Sequence, residues 1–177
     1  MLSTLLVSAA GAAGTSVPAS PVTTYAATPA SAPLLAPMVA LLVWTLFMEV
    51  WLYSVRLPAF MELRRKGLFR FDPAKHTKAD WQKAMPKEER FVSDNFTHLH
   101  EQPTCFYAVV VVLVLLGAGS ADNTITIGLA WAYTALRVVH SIVQCTINFV
   151  PLRFTLFVVS GSVLAALTMR AAALTLF

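Results

Sequence analysis

Apolar residues gather in four long stretches, and each predicts a helix that crosses a membrane. The first covers about residues 34–60, with its most apolar part at Pro37–Met48, and the basic cluster Arg64, Arg65, Lys66 follows it. A polar loop is expected over 61–93, punctuated by Gly67, Asp72-Pro73 and Met85-Pro86. The second helix is expected over about 94–119, capped by Ser93 or Asp94. Pro103 lies two to three turns in and predicts a kink before the apolar run Phe106–Leu116. The third and fourth helices are expected over about 124–148 and 151–174, separated near Pro151. About 20 residues at 1.5 Å each span a ~30 Å hydrocarbon core. The fold class that follows is all-α, an integral membrane four-helix bundle. Residues 1–33 carry no charge and are rich in Ala, Ser, Thr and Pro. They read as a flexible tail or a weak signal-like segment, since Leu2–Ala13 is apolar with no basic side chain before it.

Composition sharpens this picture. Charged residues make up 12% of the 177, against roughly 25% in a soluble domain, and 57% are hydrophobic. Ten of the 13 Lys and Arg lie between Arg56 and Glu101, as do seven of the nine Asp and Glu. A chain so patterned cannot cover a water-exposed surface, which excludes a soluble enzyme, a disordered regulator and a nucleic-acid binder. The clustered basic residues instead set topology: the loop at 61–93 and the turn at Asn148–Arg153 face the cytoplasm. The lipid bilayer is thus the first partner. Two cysteines, Cys105 and Cys145, form no disulfide framework or zinc spacing, and Cys105 reads as a buried, inert thiol.

Charge inside a spanning helix is costly, about 2.5–3.5 kcal/mol at the bilayer centre, so the exceptions inform. Arg137, His140, Gln144 and Asn148 stand three, four and four apart and form one stripe on the third helix. Asp94, His98, Glu101 and Cys105 form another on the second. Glu49 and Arg56 share a face of the first, and Arg153 opens the fourth. Gathered at one end, Arg56, Arg137 and Arg153 make a cationic cleft, opposed by Glu49 and Glu101, that suits an anionic or amphipathic ligand. The plainer alternative is a set of interhelical hydrogen bonds that only fixes the bundle. His98, Glu101 and His140 have spacing that permits a metal, but three nearby arginines oppose a dication, and no metal is assigned.

Two segments carry a family likeness. Asn95-Phe-Thr-His-Leu-His-Glu-Gln-Pro-Thr-Cys-Phe-Tyr107 is followed by Ala130-Trp-Ala-Tyr-Thr-Ala-Leu-Arg-Val-Val-His-Ser141 and Val150-Pro-Leu-Arg153. The pattern resembles the MAPEG superfamily of membrane-associated proteins in eicosanoid and glutathione metabolism, over about residues 35–175. The likeness is to small bacterial-type members more than to the eicosanoid enzymes. It implies a homotrimer with glutathione between protomers. It implies further that Arg56, His98, Glu101, Arg137, His140 and Gln144 bind glutathione, while Arg153 acts in catalysis by stabilising the thiolate. Departures stand beside the matches. His98 occupies the family's glutathione-binding Asn position, Thr97 replaces a common Arg and Gln144 a common Tyr. Phe154 and Phe157 stand where catalytic members often carry Ser and Tyr.

Two functions follow from that resemblance. One is a glutathione-dependent transferase or peroxidase acting on a lipophilic small-molecule substrate. The other is a non-catalytic structural or lipid-binding subunit built on the same bundle. A bacterial inner membrane and a eukaryotic endomembrane both fit the composition.

Overall fold

A helix buried in lipid satisfies its own backbone, and the chain uses that solution throughout. In the computed structural model, which describes residues 32–67 and 77–176, six helices form and no strand does. They are α1 (Ala32–Arg65), α2 (Lys78–Ala84), α3 (Lys87–Leu99), α4 (Gln102–Leu115), α5 (Thr124–Cys145) and α6 (Val150–Leu176). Helix α1, stacked α3–α4, α5 and α6 are each long and apolar enough to cross a membrane, and the chain is an integral multi-pass membrane protein. The expectations for residues 1–31 and for the middle of the polar loop lie outside the described residues.

Several boundaries differ from those expected. Helix α1 continues past Phe60 to Arg65, through Pro58. Its 34 residues are about 51 Å long, more than the ~30 Å hydrocarbon core needs. The described parts of the polar segment, 61–67 and 77–93, are largely helical rather than a plain loop. Thr77 and Asp80 close a reciprocal capping box at the start of α2, and α3 begins right after Pro86. Ser93 and Asp94 therefore lie inside α3 and cap nothing.

The second span is broken, not kinked. Leu99 ends α3, Glu101 adopts φ −90 and ψ −93, and α4 starts at Gln102 with Pro103 in its first turn. Proline has no N–H, and its ring collides with the carbonyl four residues back, here that of Leu99. Helix α4 then ends at Leu115 rather than near Gly119. Gly117, at φ 73, allows a Schellman closure: Ala118 N–H donates to the Leu113 carbonyl at 2.9 Å and Gly117 N–H to that of Val114 at 3.0 Å. Helix α5 stops three residues early, at Cys145. The turn to α6 passes through Asn148 at φ 49, a left-handed conformation that Asn tolerates.

Lipid tails are as apolar as leucine, so helices associate in a bilayer by close packing and polar contacts. Leu34, Leu41 and Met48 recur at seven-residue intervals on α1 and are fully buried, meeting Phe106, Val110 and Leu113 of α4 in one core. Phe106 stacks on Tyr133 of α5 with ring centroids 4.4 Å apart. Such a pair adds about 0.5–1.5 kcal/mol beyond burial. Thr134 of α5 donates to the carbonyl of Pro37 at 3.0 Å, tying α5 to α1. A Cβ on Gly161 of α6 would lie 3.1 Å from Gln102 Nε2, so glycine lets α4 and α6 approach closely there. The longest interhelical seam joins α5 and α6.

Cys105 corrects an expectation. It is exposed, while its neighbour Phe106 is buried. The break at Glu101 sets the face of α4, and the buried stripe takes Pro103, Phe106, Val110 and Leu113, one step away from Cys105.

Candidate functional site

Helix α5 buries its polar stripe and turns its aliphatic residues outward. Tyr133, Arg137, His140 and Gln144 are all buried, whereas Val139 and Ile142 are exposed. This inversion fits a helix whose exterior meets lipid and whose interior must shelter charge. Of the sequence-predicted residues, the fold brings His98, His140 and Arg153 together around one cleft. Val150, Phe154 and Phe157 complete its lining, and its volume is about 300 Å³.

Arg137 does not line that cleft: it is 1% exposed and meets it through Phe157. Its Nε donates to the Tyr133 hydroxyl at 3.1 Å. The guanidinium sits 5.5 Å from the ring centroids of both Tyr133 and Phe157. Aromatic faces stabilise a desolvated cation by about 2 kcal/mol or more. Its Nη2 has no hydrogen-bond partner. Among the described residues no carboxylate pairs with Arg137 or with Arg153. The Tyr133 hydroxyl in turn faces Gln102 Oε1 at 3.5 Å, as does the Ser160 hydroxyl, so three helices brace the group that holds Arg137.

Arg153 enters from the first turn of α6. One Nη donates to the side-chain oxygen of Asn148. Gln144, with its amide assigned by the hydrogen-bond network, accepts from the other Nη at 2.9 Å and donates to His140 Nε2 at 3.1 Å. Both partners of Arg153 are neutral amides. They hold its charge in place without cancelling it. His140 Nδ1 and Arg153 Nε are buried and unpaired. On the rim, His98 Nδ1 lies 2.8 Å from Glu101 Oε2, and the His98 ring stands edge-on to His140 with centroids 6.4 Å apart.

Two expected members do not join the cleft within this chain. Arg56 is tied to α3: its Nε lies 2.7 Å from Glu89 Oε1 and its Nη2 donates to Ser93 Oγ at 2.7 Å. Glu49 makes no ion pair among the described residues. The expected opposition of Glu49 and Glu101 to the arginines is thus replaced by separate pairs, Arg56 with Glu89 and His98 with Glu101.

Sequence reasoning missed Glu89 and Asn95. Both are buried on α3, and Asn95 leaves its amide oxygen and nitrogen without partners. The signal was present: Glu89, Val92, Asn95 and Leu99 recur at three and four after Pro86, an amphipathic helix inside the supposed loop.

The profile of the MAPEG family matches residues 34–173, which covers all four spans and every residue of the cleft. No curated protein and no solved structure matches the chain.

Proposed function

The chain belongs to the MAPEG family, and from that premise we propose that it is a glutathione-dependent transferase or peroxidase for lipophilic electrophiles. One observation carries the reading: Arg153 lines the cleft, Arg137 is buried against Phe157 of its wall, and no carboxylate among the described residues neutralises either. A desolvated guanidinium without an anion is costly unless a ligand supplies one. The unpaired donors, Arg137 Nη2, Arg153 Nε and His140 Nδ1, fit a ligand rich in carboxylates. Glutathione is such a molecule, and members of the family generally use it.

When bound, glutathione supplies a sulfur nucleophile for an electrophilic carbon or a peroxide oxygen. Arg137 offers charge-assisted hydrogen bonds to a carboxylate, with Gln144, His140, His98 and Glu101 as further polar contacts. Arg153 stands where the first turn of α6 already favours anions through its free N–H groups. A cation there stabilises a thiolate over its thiol. A fall of two in the thiol's pKa favours the thiolate by about 2.7 kcal/mol. Phe154 and Phe157 give the cleft an apolar wall on the outer surface, where both are exposed, and this suits a substrate dissolved in the bilayer. A homotrimer that closes the cleft from outside belongs to the same reading.

Those two phenylalanines also favour a second reading, a lipid-binding subunit without turnover, because they offer no hydroxyl to the site. The ultraviolet absorbance of bound thiolate separates the two. On the enzyme reading, wild type in detergent shows it with glutathione, Arg153→Leu abolishes it, and Arg153→Lys keeps part of it. No thiolate signal in the wild type, despite binding, favours the lipid-binding subunit.

A further inference from the structure

We propose that His98 is the general base of this cleft, oriented by Glu101. The proposal rests on the glutathione reading and assigns a residue within it. A carboxylate accepts hydrogen bonds and cannot donate, so the 2.8 Å contact with Glu101 Oε2 places a proton on His98 Nδ1. In the neutral imidazole the opposite nitrogen, Nε2, carries the lone pair. It has no partner among the described residues, and His98 lines the cleft. His140 lacks this freedom, because its Nε2 takes the amide proton of Gln144 and it therefore presents only a donor. Of the two imidazoles in the cleft, one is an acceptor and one a donor, and neighbouring side chains fix which is which.

The groups that face His98 come from three elements. Glu101 stands at the N-cap of α4, His140 on α5, and Arg153 on α6 with the Phe154 and Phe157 rings. Glu101, three residues after His98, reaches back to it across one turn. His98 keeps 38% of its side chain exposed, which leaves a path for the proton to water.

The step balances simply. The S–H bond of the bound thiol breaks and its electron pair stays on sulfur. The proton forms an N–H bond at His98 Nε2, and the imidazolium rests against the Glu101 carboxylate. When sulfur bonds to the electrophile, the displaced or ring-opened oxygen takes the proton back. Arg153 stabilises the thiolate once formed, whereas His98 sets how fast the proton leaves. Glu101 acts on this proton only through His98, and in this step it is a positioning residue.

The alternative is that His98 and Glu101 merely brace the α3–α4 break. Rapid mixing of full-length protein with glutathione across a range of pH separates the two, following thiolate absorbance and proton release by an indicator dye. His98→Asn, read at saturating glutathione so that any loss of affinity is separated from the rate, is expected to slow thiolate formation by about 100-fold near neutral pH. Added imidazole is expected to restore part of the rate. Glu101→Gln keeps an acceptor, loses the charge and is expected to fall between. His98→Gln serves as the second variant if His98→Asn folds poorly. A wild-type rate and pH profile in a folded His98 variant overturns the assignment alone. A wild type that binds no glutathione overturns the glutathione reading and the assignment with it.

Discussion

Arg56 and Arg137 both lie on spanning helices, and the fold treats them in opposite ways. Arg56, at the α1–α3 seam, finds a buried carboxylate and a hydroxyl, each at 2.7 Å. Arg137, on α5, finds a phenol, two aromatic faces and no anion, and one of its terminal nitrogens has no partner. A guanidinium already satisfied by its own chain holds helices together. One left unneutralised, against the Phe157 wall of the cleft, is the one proposed to meet an external anion. Position on the helix does not distinguish the two; the partner does. The far end of the bundle gives a third case, where Arg170 near the end of α6 donates to Asn123 at the start of α5 at 2.8 Å. That contact joins the ends of two antiparallel helices and lies remote from the cleft.

Substituting the same residue type at each site breaks the comparison where it is weakest. The largest effect is expected from Arg56→Met. It strands the Glu89 carboxylate, whose side chain is 5% exposed, and stability should fall by about 3 kcal/mol. Arg56 itself is about one-third exposed, which keeps this at the low end for a broken buried pair. Thermal unfolding in detergent, followed by tryptophan fluorescence, reads it. Arg137→Met comes next and should act on binding instead. Glutathione affinity should drop about 100-fold, or about 2.7 kcal/mol, with stability within about 1 kcal/mol of wild type, because no anion is stranded.

A smaller change sharpens the contrast from the side of the phenol. Tyr133→Phe removes the acceptor of Arg137 Nε and the donor to Gln102, and should cost about 1–2 kcal/mol in the same melt. The smallest effect belongs to Asn123→Ala. Loss of a partly buried contact to Arg170 should cost about 1 kcal/mol and leave glutathione affinity unchanged. A change in affinity from Asn123→Ala would show that the two ends of the bundle are coupled.

The sequence made the α5 stripe legible because periodicity is local. Arg137, His140 and Gln144 recur every three or four residues in an apolar background, and the structure buries all three. The start of α6 could be read from Pro151, and Arg153 with it. What the sequence hid was long-range. The partner of Arg56 lies 33 residues away, in a segment whose high charge reads as a solvated loop. Its buried side, Glu89, Val92, Asn95 and Leu99, mixes two polar residues with two apolar ones, so a hydrophobic pattern alone underrates it. The break before Pro103 is a matter of degree. Proline strains a helix anywhere, and whether the chain bends or stops depends on what the freed groups meet. Here the Thr104 hydroxyl donates to the Glu101 carbonyl at 2.6 Å, and Glu101 meets His98, so the chain stops.

Of the two arginines, the unneutralised Arg137 and not the paired Arg56 is proposed to meet the ligand. Isothermal titration of glutathione into wild type, Arg137→Met and Arg56→Met, each checked for folding by its melt, tests this directly. The account predicts binding by wild type, a loss of about 100-fold in Arg137→Met, and near-wild-type affinity in whatever fraction of Arg56→Met remains folded. Wild-type affinity in a folded Arg137→Met protein would contradict it.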